Sequence, residues 1–145
     1  MRDFIKARSL DIAIGVIFVA VFAALIDIRG DVLFIGLWYY LAVIGGAFVT
    51  AVLANPRPFF AGGAVLAAGL SLAVYVWVNS HPDVRSSGLL GIAHLLSLPG
   101  AAAGVVALGV VSRRRKWRRE SRLFSAGFLG FFLGFVVNQV GLFLV

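Results

Sequence analysis

Residues 88–111 read GLLGIAHLLSLPGAAAGVVALGVV, residues 112–122 read SRRRKWRRESR, and residues 123–145 read LFSAGFLGFFLGFVVNQVGLFLV. Two long apolar runs thus flank a short block in which Glu120 alone opposes seven basic side chains. A helix rises about 1.5 Å per residue and needs roughly 20 apolar residues to cross the hydrocarbon of a bilayer. Both runs are long enough. Neither alternates polar with apolar as a barrel strand does, and both are apolar all round, as a lipid-embedded helix is.

The same pattern recurs towards the N-terminus at residues 10–28, 32–54 and 60–78. The expectation is an all-α integral membrane protein, a single transmembrane domain over 1–145 with about five helices: 10–28, 32–54, 60–78, 88–111 and 123–145, with a basic loop at 112–122. Composition agrees. The chain is 61% hydrophobic and 13% charged, and its mean hydropathy is +1.02. A soluble domain carries about a quarter charged residues and needs them to cover its core.

The breaks between runs have turn chemistry. Arg29-Gly30-Asp31 is a tight polar turn, and Asn55-Pro56-Arg57-Pro58 cannot continue a helix. Asn79 to Asp83 is a polar loop, and Ser86-Ser87 can cap the fourth helix. The first run, with basic residues before it and Ala23-Ala24 near its end, is read as a helix that also directs insertion. No internal repeat is visible.

Lysine and arginine counts set the orientation. Arg2, Lys6, Arg8, Arg57 and the block Arg113, Arg114, Arg115, Lys116, Arg118, Arg119 and Arg122 all fall on one side of a five-helix layout. The other side holds Arg29 and Arg85, each near an aspartate. Excess positive charge stays in the cytoplasm, which places the N-terminus inside, the C-terminus outside, and the protein in the cell inner membrane. The net charge of +7 is therefore a topology signal. With Trp117 as an anchor, the block is expected to contact anionic lipids or an acidic partner. No nucleic-acid-binding fold accompanies it.

In lipid, helices associate through small residues and interhelical hydrogen bonds. Gly127, Gly130, Gly134, Asn138 and Gly141 share one face of the fifth run. That face is expected to touch another helix, inside the subunit or across a subunit interface, with Asn138 hydrogen-bonding across it. Phe128, Phe131, Phe132 and Phe135 lie on the other faces and suit lipid or a broad apolar contact. Pro99-Gly100 predicts a kink in the fourth helix.

Ionisable groups in the hydrocarbon are functional candidates by default. Asp11 lies one turn into the first helix, within reach of Arg8 or Lys6, and Gly15 shares its face. Asp27, Tyr39, Tyr40, His94, Ser97, Asn138 and Gln139 fall in one layer, roughly 4–12 Å below the outer surface. They are expected to line a polar pocket open to the outside, with His94 as its pH-sensitive element.

Several chemistries are excluded. There are no cysteines, hence no disulfides, thiolate metal sites or cysteine nucleophiles. No HExxH, phosphate loop or GxSxG motif occurs, and no carboxylate pair within a helix suits acid–base work. No cofactor is implied. Locally, Phe4 to Phe22 (FIKARSLDIAIGVIFVAVF) resembles the start of the first helix of large-conductance mechanosensitive channels, sharing Asp-x-Ala-x-Gly-Val-Ile. Those channels have two membrane helices, against about five here, so the resemblance implies no shared function. The expected function is non-catalytic: a multi-pass membrane protein that binds another membrane component as an accessory, regulatory or immunity-type protein. The alternative is a small oligomeric channel or transporter using the outer polar residues.

Overall fold

A computed structural model describes residues 2–31, 36–80 and 89–144. The protein is an all-α membrane helix bundle, and among the described residues there is no strand. A short α1 (Arg2–Ala7) leads into α2 (Ser9–Arg29), followed by α3 (Leu37–Ala54), α4 (Phe60–Asn79), α5 (Leu89–Arg114) and α6 (Glu120–Leu144). Five of these, α2 to α6, are long and apolar enough to cross a membrane. Helix is the form available there, since it satisfies every backbone polar group within its own segment. The likeness of residues 4–22 to a two-helix channel does not extend to the fold.

The helix ends differ from the expected ones in instructive ways. The second span was expected from residue 32; the described helix starts at Leu37 after Gly36, and residues 32–35 lie outside the described residues. The expected loop 79–83, the Ser86-Ser87 cap and Arg85 likewise fall wholly or partly on 81–88, outside them. The basic loop is shorter than 112–122, because α5 runs on to Arg114 and α6 begins at Glu120. The turn is a Schellman cap. Lys116 takes a left-handed φ of 54°, its N–H donates to the Arg113 carbonyl, and the Trp117 N–H donates to the Ser112 carbonyl. Cations in the last turn of α5 also complement the negative end of its dipole.

Helix α4 is the centre. It packs against α2, α3, α5 and α6, and small residues (Ala61, Gly62, Gly63, Ala64, Ala67, Ala68) let its neighbours come close. The most extensive pair is α5 with α6. The glycine stripe of α6 is spent inside the subunit. A Cβ at Gly134 would lie 2.2 Å from the Gly100 carbonyl oxygen, one at Gly104 2.1 Å from that of Gly130, and one at Gly127 2.0 Å from that of Phe60. Gly141, expected on this packed face, meets nothing within 4 Å, because it lies beyond the stretch where α5 and α6 touch most closely. Of the phenylalanines expected to meet lipid or a broad apolar contact, Phe131 and Phe135 are core residues, whereas Phe132 is exposed.

Pro99 lies within α5 and has no N–H for the Leu95 carbonyl. One residue along, the Leu96 carbonyl accepts a hydrogen bond from the Asn138 amide of α6 at 2.7 Å. The neighbouring helix thus serves the turn that proline disturbs. Gly100 makes room for it, since a Cβ there would sit 2.3 Å from Asn138 Cβ.

Candidate functional site

Arg8, Arg57 and the loop after α5 gather at one end of the bundle, here the basic end; the opposite end is the distal end. Buried polar side chains form one cluster towards each.

At the basic end, Asp11 and Arg8 are almost fully buried and form an ion pair at 3.5 Å. Arg8 also donates to the Pro56 carbonyl. Burial lowers the proton affinity of its guanidinium, and the negative charge of Asp11 works against that. Oδ2 of Asp11 accepts the Phe59 N–H at 3.1 Å, and Oδ1 lies where a Gly62 Cβ would come within 2.6 Å of it. A carboxylate at the N-terminus of α4 thus meets the positive end of that helix dipole. It also holds Phe59, whose φ of 71° is unusual for a bulky residue. Beside it, Asn55 donates to Ser112 at 2.8 Å, and Ser112 donates onward to the Gly109 carbonyl at 2.9 Å. Arg57 donates to the Trp117 carbonyl. This cluster ties α2, α3, α4 and α5 together where their chains turn.

At the distal end the centre is His94. The Tyr39 hydroxyl lies 2.6 Å from Nδ1 and the Ser71 hydroxyl 3.0 Å from Nε2. Ser71 also donates to the Ala68 carbonyl at 2.8 Å. A hydroxyl has one proton, so Ser71 must accept from His94. Nε2 therefore carries the imidazole proton, and Nδ1 accepts from Tyr39. The chain runs one way, Tyr39 to His94 to Ser71 to a backbone carbonyl, and it suits a neutral imidazole. The Tyr75 and Phe135 rings stand 4.7 Å and 5.1 Å from the His94 ring. Alongside, Ser97 donates to the Ala93 carbonyl at 2.8 Å and is in hydrogen-bond contact with Gln139, as is Tyr75.

Of the seven residues expected to share a pocket, Tyr39, His94, Ser97 and Gln139 do come together, and Asn138 lies next to them on Leu96. Tyr40 turns instead to Asp31, 3.2 Å away. Asp27 is exposed on α2, apart from the network, because α2 touches the bundle through its other face. His94 and Ser97 are 0% exposed. They are core, not the lining of a pocket open to the outside, since their neighbours' side chains fill the space. Ser71, Tyr75 and Asp31 were missed. Ser71 and Tyr75 are one helical turn apart in the distal half of the third run, and that spacing was the available signal.

Several grooves also open on the surface of the described residues. A groove of about 370 Å³ lies between α2 and α3, past Gly15, Gly45 and Val49. A second, of about 160 Å³, runs along α3 past Ala42, Gly46 and Thr50, walled by Leu98 and Phe131. A third lies at the basic end between α5 and α6. Among the described residues, no group of three or more His, Asp or Glu is placed to hold a metal ion. No protein family, curated protein or solved structure matches the chain.

Proposed function

We propose that this is a non-catalytic, multi-pass protein of the inner membrane that works by binding another membrane component, as an accessory, regulatory or immunity-type protein does. One observation carries this reading. Gly45 and Gly46, in the middle of α3, meet nothing within 4 Å, whereas the glycines of α4 and of the α5–α6 contact are pressed against a neighbouring helix. Glycine weakens a helix and is used in membranes where a backbone comes close. Ala42, Gly46 and Thr50 follow one another at intervals of four, the spacing of a helix-docking stripe. The partner is a membrane helix, from another protein or from a second copy of this chain. The lysine and arginine distribution puts the basic end in the cytoplasm, against anionic lipids.

Ala42→Leu and Gly46→Leu test this reading. Ala42 is exposed and a Cβ at Gly46 meets nothing within 4 Å, so the bundle should remain stable while partner capture from solubilised membranes is lost. Capture unchanged by both would refute docking on α3.

A second reading, a small oligomeric channel or transporter, draws on the one-way hydrogen-bond chain through Tyr39, His94 and Ser71, which joins three helices. It requires flux in reconstituted vesicles that His94→Ala or Asn138→Leu changes. Absence of flux from the parent protein removes it.

A further inference from the structure

The groove at the basic end encloses about 620 Å³ between the end of α5 and the start of α6. Its mouth carries two guanidinium groups, Arg115 and Arg122, and the hydroxyls of Ser121 and Ser125. Its deeper part is apolar, with Leu108 on α5 and Leu129 on α6. Trp117, half-buried, stands at the rim. The lining thus changes from cationic to hydrocarbon-like along the helix axis, in the direction that leads into the membrane.

The mouth is held in shape. The Schellman cap orders Arg115 and Trp117, and Arg57 holds the Trp117 carbonyl from the neighbouring turn. Among the described residues the one ion pair is Arg8–Asp11, so no described carboxylate neutralises Arg115 or Arg122. An occupant therefore needs a compact anion to set between two guanidinium groups and an apolar tail to lie below it.

We infer that this groove holds one anionic phospholipid of the surrounding leaflet, its phosphate between Arg115 and Arg122 and an acyl chain along Leu108 and Leu129. Free phosphate would satisfy the mouth and leave the trough unused. The site is separate from the α3 stripe, so either can fail without the other.

The test uses Trp38→Phe/Trp77→Phe protein, which retains Trp117 as its only tryptophan, in phosphatidylcholine vesicles containing brominated phosphatidylglycerol. Both leaflets have the same composition, so the outcome does not depend on orientation. Trp117 should be quenched by the anionic lipid with roughly thirtyfold preference over brominated phosphatidylcholine, from two basic contacts at the membrane surface. Arg115→Gln/Arg122→Gln should reduce that preference to about one- to threefold. The charge-matched Arg114→Gln/Arg119→Gln, at exposed positions outside the groove, should keep most of it. Equal loss in both double variants would mean diffuse attraction and overturn the site. So would a parent protein with no preference, or a preference abolished by excess inorganic phosphate.

Discussion

Replacing Gly134 with alanine probes the contact that holds the bundle together. A Cβ at this position would lie 2.2 Å from the Gly100 carbonyl oxygen and 2.9 Å from its carbon, against an ordinary contact of 3.4 Å or more. The obstacle is backbone, which cannot rotate away, so α5 and α6 must part locally by about 1 Å. One turn further along, the Asn138–Leu96 hydrogen bond of 2.7 Å stretches out of range with them. Overpacking costs about 1–3 kcal/mol. An interhelical hydrogen bond in a membrane protein adds about 0.6–1.7 kcal/mol. The expected loss is thus about 2–5 kcal/mol. Reversible unfolding in mixed micelles, titrated with dodecyl sulfate and followed by tryptophan fluorescence, reads it directly. Gly141→Ala is the control, because its Cβ meets nothing and should shift stability by less than about 0.5 kcal/mol. Equal stabilities for the two variants would refute the close α5–α6 contact.

Three further outcomes follow from the buried clusters and the α5 cap. Arg8→Met leaves Asp11 buried and unpaired and should cost about 3–5 kcal/mol, whereas Arg8→Met/Asp11→Leu should recover much of that in the same unfolding assay. Tyr39→Phe and His94→Phe each break the same hydrogen bond, so their costs, about 1–3 kcal/mol apiece, should add to clearly more than the double variant loses. Lys116→Gly relieves a left-handed residue at the α5 cap and should stabilise the protein by about 1 kcal/mol; destabilisation would contradict the Schellman geometry.

Much of the bundle is legible in the amino-acid order, because long apolar runs leave few alternatives. Five spans follow from run length, and helical spacing narrows the partner of Asp11 to Arg8 or Lys6, of which the structure has Arg8. The α6 stripe is legible as far as Asn138 but not to Gly141, since sequence does not say how far two helices stay in contact. Helical period marks a face without naming its neighbour. For that reason the sequence leaves Phe131 and Phe135 open between lipid and an apolar contact, where the structure puts both in the core, and Asp27, expected at the depth of His94, does not share its surroundings. Ser71 and Tyr75 were overlooked because a serine and a tyrosine in an apolar helix look unremarkable until a third helix supplies the histidine between them. The Asn55–Ser112 bond joins residues 57 apart in sequence, and spacing within one helix cannot foresee it.

The proposal that a membrane helix docks on α3 is tested most directly by cysteine cross-linking in intact membranes. The chain has no cysteine of its own, so Ala42→Cys and Thr50→Cys report from the stripe alone, and Val137→Cys reports from a lipid-facing position on α6 that is 70% exposed. Labelled with a maleimide-linked benzophenone and irradiated, Ala42→Cys or Thr50→Cys should form a covalent adduct with a protein by insertion into a partner C–H bond, and Val137→Cys none. A mass twice the 15.5 kDa of the chain would identify a second copy, and any other mass a different protein. No trapped species from α3, or equal trapping from all three positions, would contradict docking there.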